Sequence, residues 1–133
     1  MYIKEFSKDF EMRFMDMNAG VHLSNHVCVS YLSEYLSAFL ESHGQSMFGV
    51  YDYRLLFANL EIKFTREVIY PATITIQCTD VEVKSRKIAL HIEQFVDNQT
   101  VAKAVLALSF MKDGKVAQIN DKIASLFLGT IEQ

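Results

Sequence analysis

The chain has 133 residues, of which 50% are hydrophobic and 22% are charged. This composition excludes a disordered polypeptide and fits one domain, residues 1–133, with its own core. The formal net charge of -3 and the lack of a basic tract argue against a nucleic-acid partner.

The two cysteines, Cys28 and Cys78, have neither metal-ligand nor CxxC spacing. We interpret them as buried free thiols in a reducing compartment. The first ten residues do not resemble a signal peptide, and no segment reaches transmembrane length. We therefore expect a cytoplasmic domain with no membrane partner and no metal site.

The first half of the chain predicts a strand, a loop and a helix. Residues 2–14 alternate loosely between apolar and charged side chains, as a half-buried strand does. The loop at 16–25, DMNAGVHLSN, concentrates polar side chains around Gly20. From Asn25 to about His43 the pattern is helical. This helix is too apolar to expose one whole side to solvent, so other elements must bury most of its circumference.

The second half predicts four strands, rich in β-branched and aromatic residues, at 54–66, 72–83, 86–96 and 101–112. The links between them are short, which predicts antiparallel neighbours, because parallel pairing needs a long crossover. A short helix at 120–128 closes the chain. Because one curved sheet leaves long edge strands, which pairing between chains protects, we expect a dimer or a dimer of dimers.

A specific resemblance begins at residues 13–25, RFMDMNAGVHLSN. This run resembles the opening signature of the 4-hydroxybenzoyl-CoA thioesterase family, R-Y/F-x-D-x-D-x-x-G-H-V/L-x-N, which is followed by a helix with a Glu nine residues after the last Asn. The residues in register are Arg13, Phe14, Asp16, His22, Leu23, Asn25 and Glu34. The resemblance implies the α+β hotdog fold, in which a curved antiparallel sheet wraps a long central helix. It also implies hydrolysis of an acyl thioester of coenzyme A or acyl carrier protein, with no cofactor beyond the coenzyme A of the substrate.

The sequence departs from the signature at two positions. Asn18 replaces an Asp that is often the catalytic carboxylate, and the glycine beside His22 has moved one place back, to Gly20. An amide can only donate and accept hydrogen bonds. Glu34 lies in a dense apolar helix, where desolvation would make it a useful general base. We hypothesise that Glu34, alone or through His22, activates a water, and that Asn18 orients this water or the thioester carbonyl.

The N-terminus of the long helix offers donors for an oxyanion. We expect the backbone N–H groups near Asn25 and His26 to donate hydrogen bonds to the oxyanion, and the helix dipole favours negative charge there. Asn25 is equally typical of a helix N-cap. Asp16 is interpreted as a loop-bracing residue. His22 and Glu34 also have ordinary structural and solvent-facing interpretations.

The phosphates of coenzyme A require cations and hydroxyls. Ser85, Arg86 and Lys87, beside Lys84, supply both at one turn, and the resemblance implies that this strand lies near the nucleotide or pantetheine arm. A solvated hairpin turn explains the same residues. Asn59 and Arg66 are weaker substrate-binding candidates.

Two other functions remain open at this point. A 3-hydroxyacyl-thioester dehydratase of the same fold also needs a His and a carboxylate, but it usually places the His in a segment such as HFPG, and Pro71 is far from His22. A non-catalytic acyl-thioester-binding protein is compatible with Asn18.

Overall fold

The computed structural model describes residues 1–20 and 22–129. Val21, within the predicted site loop, and residues 130–133, within the predicted domain, lie outside the described residues. The strand predicted at 2–14 is shorter in the structure, where a 3-10 turn at Ile3–Glu5 precedes β1, Ser7–Glu11. The turn forms because the Glu5 side chain accepts from the Tyr2 backbone N–H at 3.1 Å.

The central helix, α1, spans Asn25–Ser42, as predicted. It ends at His43 and Gly44, and Gly44 has a φ of +73°, a conformation that glycine adopts without steric cost. Its buried side chains are Val27, Cys28, Tyr31, Leu32, Tyr35, Leu36, Phe39 and Leu40. The helix therefore packs over most of its circumference.

The remaining strands are β2 (Arg54–Phe64), β3 (Thr73–Val83), β4 (Ile88–Val96), β5 (Gln99–Lys112) and β6 (Lys115–Val116). The antiparallel sheet has the order β1-β3-β4-β5-β2, and β6 pairs with β5. The sequence interpretation missed β6, which is only two residues long. A second helix, α2 (Asp121–Leu128), follows Asn120, whose side chain accepts from the N–H of Ile123 at 2.8 Å.

The prediction that β2 and β3 are neighbours is wrong, because β2 pairs with β5 at the opposite edge of the sheet from β1. The link at 65–72 does not form a hairpin and instead lies against the loop before α1. The backbone of Leu23 donates to Val68 at 2.7 Å, and His22 forms a bridge with Ile69. This crossing brings two distant parts of the sequence together beside the start of α1.

Tyr35 attaches the middle of α1 to its surroundings. Its hydroxyl donates to the carbonyl of Phe6 at 2.6 Å and accepts from the N–H of Cys78 at 2.9 Å. Ala102 and Ala104 are buried on β5, as expected for small residues where a helix packs on a sheet. Of the helices in the described part of the chain, none is long and apolar enough to cross a membrane.

Candidate active site

A cavity of about 300 Å³ opens at the N-terminal end of α1. Three segments surround it: the loop before α1 together with its first turn, the link after β2, and the start of β5. The lining residues are Asn18, His22, Leu23, Asn25, Cys28, Phe64, Thr65, Arg66, Glu67, Val68, Val101 and Ala102. The cavity thus unites three residues predicted as site residues, Asn18, His22 and Asn25, and the weaker candidate Arg66.

Asn18 is held by the backbone of its own loop. Its side-chain oxygen accepts from the N–H of Gly20 at 2.9 Å and from the N–H of His22 at 3.3 Å, and its backbone N–H donates to the carbonyl of His22 at 2.7 Å. Because these two donors engage the amide oxygen, the remaining hydrogen-bonding groups of the side chain are the two N–H bonds of its amide nitrogen. Asn18 therefore enters the cavity as an oriented donor.

Asp16 lies beneath this loop and is 1% exposed. Its carboxylate accepts from the backbone and guanidinium of Arg13 at 2.9 Å and from the hydroxyl of Tyr31 at 2.7 Å. Burial alone would raise the pKa of Asp16, but these hydrogen bonds outweigh it and lower the pKa to about 2. The arrangement fits the bracing role predicted for Asp16.

The imidazole of His22 has a carboxylate neighbour that the sequence interpretation missed. Its Nε2 lies 3.5 Å from an Oε atom of Glu67, and the two side chains are 34% and 73% exposed. Glu67 is located in the crossing link, 45 positions further along the chain. No local motif marks it, since only the bridge between His22 and Ile69 places the link beside the loop.

Glu34 does not line this cavity, and the expectation that it is desolvated is wrong for the single chain, where its side chain is exposed. It belongs to a polar stripe with Ser30, Ser37 and Glu41, spaced four, three and four residues apart along one helix face. Its charge contributes to the raised pKa of Arg13, after the hydrogen bond and charge of Asp16.

The helix begins at Asn25, so the N-cap position belongs to Ser24 and the N-cap interpretation of Asn25 is wrong. Within the described residues, the Ser24 side chain makes no capping hydrogen bond. Its carbonyl accepts the first helical N–H groups, those of Val27 at 3.1 Å and Cys28 at 3.2 Å. The earlier N–H groups of the first turn, those of Asn25 and His26, are the donors proposed for an oxyanion. The side chain of His26 is exposed and does not line the cavity.

Cys28 places a thiol in the cavity wall. Burial raises the pKa of this thiol to about 11. The raised pKa favours the protonated thiol at neutral pH and argues against a thiolate nucleophile at this position.

The predicted coenzyme A residues lie at the other end of the same sheet. Ser85, Arg86 and Lys87 precede β4, whereas the cavity is level with the row formed by Phe64, Ala102 and Gln94. Since Ile88 and Gln94 are six strand residues apart, this separation is about 20 Å along the strand. Asn59, exposed near the bulge of β2, is also outside the cavity lining.

A second polar cluster occupies the outer face of the sheet. One carboxylate oxygen of Asp80, one of Glu82 and one ring nitrogen of His91 lie within 4.8 Å of one another. The imidazole of His91 also forms a hydrogen bond with the carboxylate of Glu82. His91 therefore points outward from its strand. None of these three residues lines the cavity.

A family model of the thioesterase-like superfamily matches residues 12–127. The chain belongs to this superfamily. No individually curated protein matches the sequence significantly.

Solved structures share the architecture at low sequence identity. A hypothetical protein from Aquifex aeolicus has a TM-score of 0.82 at 18% identity, covering 92% of this chain and 98% of that one. A thioesterase from Thermus thermophilus, complexed with coenzyme A and Zn, has a TM-score of 0.78 at 15% identity, with coverages of 96% and 94%. A 1,4-dihydroxy-2-naphthoyl-CoA thioesterase from Synechocystis has a TM-score of 0.79 at 13% identity, with coverages of 93% and 96%. These similarities confirm the predicted α+β hotdog fold.

Proposed function

We propose that this member of the thioesterase-like superfamily hydrolyses an acyl thioester of coenzyme A or acyl carrier protein to a free acid and a thiol. The observation that supports this most strongly is the cavity where Asn18, His22 and the first turn of α1 meet. It combines a fixed amide donor, an imidazole and a helix N-terminus, which are the groups that acyl transfer to water requires.

In the proposed reaction, the thioester carbonyl oxygen accepts hydrogen bonds from first-turn N–H groups of α1 and from the amide of Asn18. His22 takes a proton from a water as this water attacks the carbonyl carbon. The carboxylate of Glu67 stabilises the imidazolium that forms. The tetrahedral intermediate then collapses, the C–S bond breaks, and His22 returns the proton to the leaving thiolate.

We further infer that the working form is a homodimer joined at β2. Among the described strands, β2 is an edge strand of eleven residues, and its exposed apolar side chains include Leu56, Phe57 and Phe64. Antiparallel pairing of two β2 strands would satisfy their outer backbone groups and cover these side chains.

Such a dimer would also account for the predicted residues that lie outside the cavity of their own chain. Ile88, Leu108 and Phe57 form one row across the sheet, and Gln94, Ala102 and Phe64 form another. If two β2 strands pair antiparallel, the row through Phe57 in one subunit lies beside the row through Phe64 in its partner. We propose that Ser85, Arg86 and Lys87 then bind coenzyme A phosphates at the partner's cavity, and that the exposed Glu34 acts there as a second acid.

Coenzyme A rather than acyl carrier protein is the first substrate carrier to test, because the Thermus and Synechocystis structures are described with coenzyme A or a coenzyme A thioester. Both cysteines are buried and free, which suits a reducing cytoplasm.

The experiment is a panel of aliphatic and aromatic acyl-CoAs with a reagent that detects free thiol. We compare the natural chain with His22→Ala, and use His91→Ala on the outer sheet face as the matched control. We expect the natural chain and the control to release thiol, and His22→Ala to lose about 10²-fold or more in rate. Equal rates for His22→Ala and the natural chain would contradict the proposal.

Two other results would replace the proposal with an alternative. Binding of acyl-CoA without release of thiol from any substrate would favour the non-catalytic acyl-thioester-binding protein. That alternative is compatible with the exposed side chain of Glu67 and with an amide, rather than a carboxylate, at Asn18. Formation of a double bond from a 3-hydroxyacyl-CoA would favour the dehydratase.

A further inference from the structure

Gln94 is a buried polar residue that core packing does not explain. It is 1% exposed on the inner face of β4. Its side-chain nitrogen donates to the carbonyl of Cys28 at 3.0 Å, while its Oε1 atom is buried and has no hydrogen-bond donor among the described residues. A buried acceptor without a donor is costly, and an apolar side chain of similar shape avoids that cost. The hydrogen bond to Cys28 is therefore the feature to be explained.

That hydrogen bond is not needed to satisfy the carbonyl of Cys28. A carbonyl inside an α-helix already accepts the N–H four residues further on. Cys28 is the fourth residue of α1 and belongs to the first turn, from which Asn25 and Cys28 line the cavity. The bond therefore fixes the position of this turn relative to the sheet.

The sheet is irregular at the same place. Gln94 lies opposite Ala102, and Phe95 lies opposite Thr100, so Val101 is an extra residue in β5. Val101 and Ala102 are consecutive, yet both are buried and both line the cavity. Bulges of this kind redirect side chains and are frequent beside active sites. Gln94 thus links the bulged wall of the cavity to the helix turn on its other side.

We propose that Gln94 is a positioning residue, which holds the first turn of α1 at the distance from β5 that the transition state of the thioester reaction requires. This inference rests on the proposed function, because the donors that Gln94 positions are those assigned to the oxyanion. Gln94 does not itself line the cavity. Substitution of Gln94 should therefore lower kcat and leave substrate binding unchanged.

The test is Gln94→Met, which removes both the hydrogen bond and the unpartnered acceptor while keeping an unbranched side chain. We expect kcat to fall about 10-fold or more, since small misplacements at a reacting centre can cost up to 10²-fold, with KM close to the natural value. We expect Tm to stay unchanged or rise. Hydrogen exchange of the amides of Val27 and Cys28, which donate to the Ser24 carbonyl, should accelerate, while exchange at 36–42 stays as in the natural chain.

The matched control is Ile92→Val, a cavity-forming change on the same strand and the same inner face. It should lower Tm with kcat and exchange at Val27 and Cys28 unchanged. An unchanged kcat in Gln94→Met, or unchanged exchange at Val27 and Cys28, would overturn the positioning role. If the natural chain releases no thiol from any substrate, the proposed function fails, and exchange at Val27 and Cys28 still decides whether Gln94 holds the turn.

Discussion

Asp16 is a single residue on which the geometry of the site loop depends. Its carboxylate joins the backbone before the loop, through Arg13, to the central helix, through Tyr31. Tyr31 also stacks on Phe10, with ring centroids 4.8 Å apart. These contacts fix the start of the loop that carries Asn18 and His22.

The lowered pKa of Asp16 predicts a particular pH dependence of stability. Because the folded pKa of about 2 lies below the ordinary value of 3.8, the carboxylate stabilises the folded state above about pH 4, and this contribution is lost as the pH falls towards 2. The difference corresponds to roughly 2 kcal/mol. Urea unfolding between pH 5 and pH 2 should show the natural chain losing about this much more than Asp16→Asn. An equal loss of unfolding free energy in the two proteins would contradict the low pKa assigned to Asp16.

The carboxylate of Glu67 lies beside the imidazole of His22. Glu67→Gln keeps the shape of the side chain but removes the charge beside His22, so we expect kcat to fall by about 10-fold or more. The matched control is Glu93→Gln on the outer sheet face, where Glu93 accepts from Thr100. Thiol-release rates check the prediction, and a kcat for Glu67→Gln equal to that of the control would exclude Glu67 from the mechanism.

The sequence motif identified Asn18 and His22 as cavity residues, because their positions are set by a local loop. Glu67 could not be found in this way, since its approach depends on a link that crosses from one edge of the sheet. Glu34 is a different case. The apolar content of α1 suggested burial, but the polar stripe through Ser30 and Ser37 indicates the exposed face, and the spacing is visible in the sequence alone.

Tyr35 connects α1, the N-terminal segment and β3. Tyr35→Phe keeps the ring but leaves the half-buried carbonyl of Phe6 and the buried N–H of Cys78 without this partner. We expect the free energy of unfolding to fall by about 1–3 kcal/mol. Tyr53→Phe is the control, since its ring can still contact Lys112. Denaturant unfolding that gave equal stability for both variants would contradict the role of the Tyr35 hydroxyl.

The sequence predicted α1 and the four long strands within a few residues, because each has a strong apolar pattern. It did not predict which strands pair. A short link indicates a hairpin only where the link turns on itself, and residues 65–72 are instead held by Leu23 and His22. Strand pairing depends on such long-range contacts, which periodicity does not record.

The exposed apolar side chains of the edge strand β2 predict assembly of the chain into dimers. We expect the natural chain to sediment as a dimer or a larger assembly of dimers, and Phe57→Lys to sediment as a folded monomer, because a charge would be buried at the strand edge. Val83→Lys, an equally exposed apolar position on β3, is the control and should leave the assembly intact. A natural chain that sediments as a monomer would contradict the proposed interface.

Subunit mixing tests whether Glu34 acts across that interface. His22→Ala should be nearly inactive alone, and Glu34→Gln should release thiol more slowly than the natural chain through loss of the second acid. A mixed dimer would contain one complete site only if Glu34 serves the partner's cavity, so refolding the two variants together should restore thiol release. Mixtures that release thiol no faster than the separate variants would exclude this arrangement.

In the proposed reaction the thioester carbonyl lies at the N-terminus of α1. A crystal structure with a non-hydrolysable acyl-CoA analogue tests this placement. We predict that the carbonyl oxygen lies within hydrogen-bonding distance of the first-turn N–H groups and of the Asn18 amide, with His22 facing the attacked carbon. An analogue bound away from the cavity of Asn18 and His22 would contradict the proposed site.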